Sequence, residues 1–216
     1  MRYQVLFFDL DDTLYPNSTG LWAAIRERMG LYMSEQLHFP PELVPSLRKQ
    51  YYEMYGTTLR GLQLHHKVDA WEFLAYVHDL PLEKYLQPAP ELRAILTSLP
   101  QPRYIFTNSD RNHARRVLDV LGLQDCFDAV IDILALEFTC KPSPEAYLRA
   151  LSLAGQPDPR SCVLLDDALA NLRPAQALGF RTVLVGSNGT LEPSVDLAVA
   201  ELSSLPEVFP DLWEVN

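Results

Sequence analysis

The stretch QVLFFDLDDT, residues 4–13, joins an apolar run to three acids. A short apolar run that ends at polar residues predicts a β-strand buried on both faces, as in a parallel sheet. Asp9, Asp11 and Asp12 follow this run at its carboxyl end, which is the edge where parallel sheets bind ligands. The stretch therefore predicts a buried strand and, directly after it, the first residues of a site.

The chain after residue 100 alternates between strand-like and helix-like stretches. This alternation predicts an α/β fold, with a parallel sheet that has helices on both faces and includes the apolar N-terminal strand. Residues 186–194 are rich in turn-forming residues and are predicted to form a loop. The predicted strands are RYIFTNSD, FDAVIDI, SCVLLDD and RTVLVGS, and the predicted helices are NHARRVLDVLG, SPEAYLRALSLAG and ALANLRPAQALG.

A helical segment separates the first strand from the second. Residues 16–99 show helical periodicity and no convincing strand pattern. Residues 16–90 carry a net charge of −1, from seven Lys or Arg against eight Asp or Glu, out of −10 for the whole chain. We therefore predict two domains: an α/β core at residues 1–15 and 91–216, and an all-α helical insert at residues 16–90.

Four helices are predicted between the first two strands. Ser18 or Thr19 is expected to cap the first helix, and Asp69 with Glu72 is expected to form a capping box at the third. The polar stretch GTTLRGLQLHHKVDAWEF, residues 56–73, is interpreted as a loop between helices, with recognition of a polar substrate group as the alternative. The helices are predicted near residues 21–33, 41–56, 68–81 and 90–100, with Leu43, Leu47, Tyr51 and Met54 facing inward in the second.

The composition argues against several classes of protein. A net charge of −10 disfavours a broad nucleic-acid surface, and no apolar run is long enough to span a bilayer. The acids after the N-terminal apolar stretch do not fit a signal peptide. Cys126, Cys140 and Cys162 fit neither a disulfide framework nor a zinc site, so we expect free thiols in a cytoplasmic protein. We further expect a monomer with no nucleic-acid or membrane partner.

The ends of the predicted strands collect residues suited to phosphate chemistry. Carboxylates gathered at one edge of a sheet repel one another, so they need a cation or shared protons. Mg²⁺ prefers oxygen ligands and is the usual ion where phosphate is also bound. A carboxylate can attack phosphorus, and a second carboxyl in another environment can act as general acid and then base. The residues at these ends are Asp9, Asp11, Asp12, Thr107, Asn108, Ser109, Lys141, Asp166 and Asp167.

Four short motifs in this order resemble the haloacid dehalogenase superfamily. DLDDT at residues 9–13 is similar to its DxDxT signature, and IFTN, KPSPEAY and VLLDD resemble its second, third and fourth motifs. The resemblance covers the whole chain. It implies a doubly wound, Rossmann-like sheet with a helical cap inserted after the first strand, which the pattern of elements predicts independently. Such a cap would act as a lid that selects the substrate.

The resemblance also implies a role for each acid of the first motif. Asp9 would be the nucleophile and a Mg²⁺ ligand, and Asp11 would be the general acid and base and would bind the metal through its backbone carbonyl. An acid at position 11 points to phosphate chemistry, because the dehalogenases of this superfamily lack one there. Asp12 is expected to serve the turn, and His113 is expected on a helix surface.

The other three motifs complete the implied site. Thr107 and the backbone amide of Asn108 would hold the phosphoryl oxygens, and Lys141 would neutralise charge on the phosphoryl group and orient the nucleophile. Asp166 would bind Mg²⁺ with Asp167 in support. This set implies a Mg²⁺-dependent phosphomonoesterase that acts on a small phosphate ester through a phospho-aspartate.

The substrate is predicted from two stretches, one around the first motif and one in the helical insert. FDLDDTLYPNSTG and LRGL…HHKVDA look most like the pyrimidine 5′-nucleotidase-like group, which implies nucleoside 5′-monophosphates. Arg60, His66 and Lys67 are the candidate substrate-binding residues of the insert. Phosphoglycolate or sugar phosphates are alternative substrates, and a phosphomutase is an alternative enzyme. A non-catalytic phosphate-binding module is the alternative if the protein is not an enzyme.

Overall fold

The computed structural model describes residues 2–187 and 195–214. The chain forms two compact units, one of Met1–Ser18 with Leu86–Asn216 and one of Thr19–Tyr85. We call them the core unit and the helical unit. None of the helices in the described ranges is long and apolar enough to cross a membrane.

The core unit is built on a six-stranded sheet whose strands all run parallel. The order β3-β2-β1-β4-β5-β6 runs outward from β1 in both directions, so the predicted doubly wound sheet is confirmed. The strands are β1 (Val5–Phe8), β2 (Arg103–Phe106), β3 (Ala129–Ile131), β4 (Cys162–Asp166), β5 (Arg181–Val185) and β6 (Leu197–Val199).

The first strand is buried on both faces because it lies at the centre of the sheet. All four residues of β1 are buried, and Phe7 lies opposite Tyr104 of β2 on one side and Leu164 of β4 on the other. Successive side chains of a strand point to opposite faces. Phe7 accordingly packs near Phe106, with ring centroids 6.2 Å apart, while Phe8 packs edge-on against Phe127 at 5.6 Å.

Helices connect the parallel strands. Gly122 and Gly179 end two of them with φ of 71° and 102°, a left-handed conformation that favours glycine. β6 was not predicted, and residues 188–194 of the predicted loop lie outside the described residues. The helices of this unit are α5 (Pro90–Ser98), α6 (Arg111–Leu121), α7 (Pro144–Leu153), α8 (Leu169–Leu178) and α9 (Leu205–Val208).

The helical unit contains no strand in residues 19–85, all of which are described, as predicted. Asp69 caps the fourth helix by accepting a hydrogen bond from the backbone N–H of Glu72 at 2.9 Å. The N-cap position of the first helix is Gly20, but Oγ1 of Thr19 accepts a hydrogen bond from the backbone N–H of Leu21 at 3.4 Å, so Thr19 satisfies an N–H of the first turn as expected. The helices are α1 (Leu21–Leu31), α2 (Val44–Tyr55), α3 (Thr58–His66) and α4 (Ala70–His78), and a π-helical turn, Tyr32–Gln36, extends α1.

The polar stretch interpreted as a loop forms helix α3, which corrects that interpretation. Thr57 caps the helix by accepting a hydrogen bond from the backbone N–H of Arg60 at 3.1 Å, and Lys67 ends it in a left-handed conformation. Leu59 and Leu62 are buried, and they lie three residues apart on one face of the helix. Arg60, which lies between them, and the histidines at 65 and 66 weaken the apolar pattern in the sequence.

The inward face of α2 also differs from the prediction. Leu43 and Met54 are exposed by 53% and 59%, whereas Val44 and Tyr51 are buried. The Tyr51 ring packs directly onto the backbone of Gly61 in α3. A Cβ atom at residue 61 would lie 2.2 Å from Cγ of that ring, so only glycine permits this packing.

We therefore expect Gly61→Ala to destabilise the helical unit. The methyl group would meet Cγ and Cβ of Tyr51, atoms too close to the backbone to move freely. Overpacking of this kind typically lowers the unfolding free energy by about 1–3 kcal/mol. Urea unfolding followed by circular dichroism measures the change.

Gly30→Ala is the matched control. Its Cβ would lie 3.6 Å from Cγ1 of Val44, an ordinary contact, and Ala is favoured over Gly inside helices by up to about 1 kcal/mol. Gly30→Ala should therefore keep or raise stability. A Gly61→Ala protein as stable as the wild type would contradict the close packing of α2 on α3.

Candidate active site

Three neighbouring strands bring their carboxyl ends together at the predicted site. Asp9 directly follows β1, Thr107 directly follows β2, and Asp166 is the last residue of β4. Backbone hydrogen bonds extend the ladder to these positions, since the N–H of Asp9 donates to Leu165 O at 2.9 Å and that of Thr107 to Ile131 O at 3.1 Å. The sheet itself therefore fixes the backbone positions of the residues that carry these side chains.

Lys141 lies in the loop between β3 and α7 and joins two of these acids. Its side chain is 1% exposed, and its Nζ donates to Oδ1 of Asp9 at 2.7 Å and to Oδ2 of Asp166 at 2.6 Å. Burial favours the neutral amine, but the two carboxylates outweigh it and raise the pKa of Lys141 above its ordinary 10.5. A buried ammonium is thus shared by two buried carboxylates.

The side chain of Asn108 holds the Lys141 backbone in place. Its Nδ2 donates to Lys141 O at 2.9 Å, and its Oδ1 accepts from Lys141 N–H at 2.9 Å. Asn108 follows β2 by two residues, so this pair of hydrogen bonds ties the lysine loop to the sheet. The sequence prediction gave Asn108 only a backbone role, and this bracing function of its side chain was missed.

Asp9, Asp166 and Asp167 form a cluster suited to a metal ion. Each offers a carboxylate oxygen, and these oxygens all lie within 4.8 Å of one another. Burial raises the pKa of Asp9 well above 3.8, with Lys141 acting in the opposite direction. Asp167 keeps an exposed face, yet desolvation by the surrounding atoms and the charge of Asp166 raise its pKa to about 7. Three carboxylates facing one ammonium fit a hard divalent cation with oxygen ligands.

Asp166 has a second partner that the sequence reasoning missed. The Nδ2 of Asn171, in the first turn of α8, donates to both carboxylate oxygens at 3.0 and 3.1 Å. The backbone N–H of Ala168 donates to Oδ1 at 2.9 Å. Asp166 is 0% exposed, so these contacts fix its orientation completely. Asn171 follows the fourth motif by only four residues, and that spacing is the signal that could have found it.

Asp11 lies in a different environment from Asp9. Its Oδ1 accepts hydrogen bonds from Tyr15 Oη at 2.5 Å and His113 Nε2 at 2.8 Å, and its Oδ2 accepts one from Ser109 Oγ at 2.6 Å. Burial alone would raise the pKa of Asp11, but the His113 imidazole and these hydrogen bonds outweigh it and hold the pKa well below 3.8. Asp11 is therefore an ionised carboxylate in this state.

His113 contradicts the expectation of a surface position, because it is only 1% exposed. It lies in line with Val117 and Leu121 on the buried face of α6, four and eight residues further on. Helical spacing in the sequence could therefore have indicated its burial. Asp12, by contrast, has a φ of 63° and accepts a hydrogen bond from Nδ2 of Asn17, so it serves the turn as expected.

A family model described as haloacid dehalogenase-like hydrolase matches residues 3–179. The chain belongs to this hydrolase family. Phosphate metabolism protein 8 of Saccharomyces cerevisiae is 30% identical over 195 residues, which cover 84% of this chain but only 61% of that protein. Phosphoglycolate phosphatase of Neisseria meningitidis is 28% identical over 232 residues, which cover 97% of this chain and 93% of that protein. The crystal structure of a HAD phosphatase from Thermococcus onnurineus has a TM-score of 0.63 at 20% identity, covering 94% of this chain and 96% of that one.

The remaining predicted site residues lie on α3, at its C-terminal end or beside the sheet. Thr107 is buried, and its Oγ1 accepts a hydrogen bond from Ser109 N–H at 3.0 Å. His66 is exposed, and its Nε2 lies 2.7 Å from Oη of Tyr51 within the helical unit. Contact of Arg60, His66 and Lys67 with a substrate stays a prediction.

Removing the ammonium of Lys141 should strongly destabilise the protein. Lys141→Met leaves Asp9 and Asp166 buried without their common cation, and breaking a buried ion pair in this way costs about 3–5 kcal/mol of unfolding free energy. Urea unfolding at pH 7 in the presence of chelator measures it. Arg115→Met removes an exposed cation from α6 and is the control. Equal stability of the two variants would show that Lys141 is not the buried counter-charge.

Proposed function

We propose that the protein is a Mg²⁺-dependent phosphomonoesterase that transfers the phosphoryl group of a small ester to Asp9 and then to water. The observation that carries this proposal is the position of Asp9, which lies 2.7 Å from a buried lysine amine and beside two further carboxylates. A carboxylate, an amine and a divalent-ion site are the groups that an aspartyl-phosphate mechanism needs. Membership of a hydrolase family gives the reaction class.

Asp9 is the nucleophile of this reaction. Its Oδ1 is held by Lys141 and its Oδ2 accepts a hydrogen bond from Oγ1 of Thr13 at 3.3 Å, so both oxygens are oriented. One carboxylate oxygen forms a bond to phosphorus while the ester P–O bond breaks, and the bonding electron pair leaves with the ester oxygen. Water then attacks phosphorus, the Asp9–phosphorus bond breaks, and the phosphate ion and the free carboxylate are formed.

Asp11 moves the protons of both steps. Its carboxyl group gives a proton to the leaving ester oxygen in the first step and takes one from the attacking water in the second. In the substrate-free state Asp11 is ionised, so it must gain its proton when substrate binds. The dianionic charge of an approaching phosphate ester raises the pKa of a neighbouring carboxyl and favours that uptake.

The phosphoryl oxygens are held by Thr107 Oγ1, the backbone N–H of Asn108 and the amine of Lys141. Asp9, Asp166 and Asp167 would hold Mg²⁺, together with the backbone carbonyl of Asp11. When bound, the cation supplies positive charge to the transferring phosphoryl group. Positioning and charge of this kind account for most of the catalysis in phosphoryl transfer.

We favour pyrimidine nucleoside 5′-monophosphates as substrates. This choice is supported by the sequence resemblance of FDLDDTLYPNSTG and LRGL…HHKVDA to the pyrimidine 5′-nucleotidase-like group. Arg60, His66 and Lys67 are proposed to recognise the polar part of the substrate. Phosphoglycolate is a second candidate, favoured by the full-length alignment with the Neisseria phosphatase.

Asp9→Asn should abolish phosphate release and leave the fold intact. The amide cannot form the phosphoryl intermediate, so kcat should fall by roughly 10⁴-fold or more. The assay measures phosphate released from UMP, CMP, AMP, phosphoglycolate, sugar phosphates and p-nitrophenyl phosphate, with circular dichroism as the check on folding. Asp119→Asn changes an exposed acid of α6 and is the control.

The relative activities on these substrates test the proposed substrate class. Highest kcat/KM on pyrimidine monophosphates supports the nucleotidase function, and highest kcat/KM on phosphoglycolate supports the second candidate. Full activity of Asp9→Asn would contradict the choice of nucleophile. An inactive wild type would contradict the phosphomonoesterase function itself.

Mg²⁺ should stabilise the protein even without substrate. Binding to the folded state adds about 2.7 kcal/mol when the free ion is at 100 times Kd, which appears as a higher melting temperature. Asp167→Asn removes one of the three carboxylates and should weaken this effect, whereas Asp119→Asn should not. If the melting temperature of the wild type is the same in Mg²⁺ and in chelator, the proposed metal site is contradicted.

A further inference from the structure

His113 is a buried polar side chain on an otherwise apolar helix face. The other buried residues of α6 are Ala114, Val117, Leu118 and Leu121. The contact to Asp11, whose Oδ1 lies 2.8 Å from Nε2, explains an imidazole among them. A carboxylate oxygen accepts hydrogen bonds, as this Oδ1 also does from Oη of Tyr15, so the imidazole tautomer that fits the contact has its proton on Nε2.

The backbone that carries His113 is fixed from two sides. Oδ1 of Asp110 accepts hydrogen bonds from the backbone N–H groups of Asn112 and His113 at 2.8 and 3.1 Å, which caps the helix. Asp132, 0% exposed after β3, accepts from the backbone N–H of Arg111 at 2.9 Å and from its guanidinium at 3.0 and 3.1 Å. The start of α6 is therefore tied to the end of β3, and the backbone from which the imidazole extends has a fixed position.

The three donors to Asp11 differ in how firmly they are placed. Tyr15 and Ser109 donate through hydroxyl groups, whose hydrogen atoms rotate to suit the acceptor. The imidazole of His113 is planar and buried on a capped helix, so its N–H has one direction. His113 is thus the donor that sets the orientation of the Asp11 carboxyl group rather than following it.

We propose that His113 is a positioning residue that holds Asp11 where it can protonate the leaving oxygen, and that it controls turnover of esters with poor leaving groups. This inference rests on the proposed phosphomonoesterase function, in which Asp11 is the general acid. An alkoxide needs that proton as the P–O bond breaks, whereas p-nitrophenolate leaves without it. A misplaced Asp11 should therefore impair alkyl esters selectively.

The test compares the two leaving groups in His113 variants. The substrates are p-nitrophenyl phosphate and the alkyl phosphate of the panel with the highest kcat/KM. General acid catalysis contributes about 10²–10⁴-fold, and in kcat/KM His113→Leu should lose about 10–100-fold of it on the alkyl ester and less than about 3-fold on the aryl ester. The comparison uses kcat/KM because this constant reports the first transfer, in which Asp11 is the acid, whereas hydrolysis of the phospho-aspartate is common to both esters. His113→Gln places an amide N–H near the position of Nε2 and should recover most of the loss.

Val117→Ala is the structural control. Val117 lies one turn after His113 on the same face of α6 and is 0% exposed. It is not one of the three donors to Asp11. The smaller side chain should lower the melting temperature, as loss of buried methyl groups does. The ratio of alkyl to aryl activity should stay that of the wild type, because Asp11 keeps its three donors.

The outcomes separate this inference from the function on which it rests. Equal losses of kcat/KM on both esters in His113→Leu, or no recovery in His113→Gln, would overturn the positioning role and leave the phosphomonoesterase function standing. Asp11→Asn is measured beside them and should slow the alkyl ester most. If Asp11→Asn keeps full alkyl activity, the acid role is wrong, and the role of His113 is overturned with it.

Discussion

The ammonium of Lys141 between Asp9 and Asp166 is the interaction on which the site depends. The three residues come from different parts of the chain, after β1, at the end of β4 and between β3 and α7. A buried charge is tolerated only when it is paired and hydrogen-bonded, so each of these groups requires the others. Because Asn108 fixes the lysine backbone, the ends of neighbouring strands are joined through one amine.

Asp9 and Asp11 lie two residues apart but in opposite environments. Burial raises the pKa of Asp9, while His113 and two hydroxyl groups overcome burial and lower that of Asp11. Pairs of carboxyl groups with divergent pKa values are how one site supports both a nucleophile and an acid. The difference arises from what surrounds each acid: charged groups shared between strands around Asp9, and directed N–H and O–H donors around Asp11.

The strand-end residues could be predicted because a parallel sheet gathers its carboxyl ends at one edge, whatever the connecting helices do. Helix α3 could not be predicted from the sequence. Its buried face consists only of Leu59, Leu62 and small residues, and Arg60 and two histidines interrupt the apolar pattern. His113 was placed on the surface because histidine is polar, although its spacing to Val117 matches the buried face. The side-chain role of Asn108 depends on a contact with Lys141, 33 residues away, that no local pattern encodes, whereas the contact of Asn171 with Asp166 is local and its spacing could have indicated it.

The core unit is discontinuous in sequence, and this has a consequence for its assembly. β1 is made first, yet it pairs with β2, which starts at Arg103, and with β4, which ends at Asp166. A nascent chain therefore carries an apolar strand without neighbours while the whole of Thr19–Tyr85 is synthesised. Pairings across such long sequence separations are slow to form and leave hydrophobic surface exposed meanwhile. The helical unit is contiguous in sequence and can fold during that interval, whereas Asp9 and Asp166 meet only after residue 166 has left the ribosome.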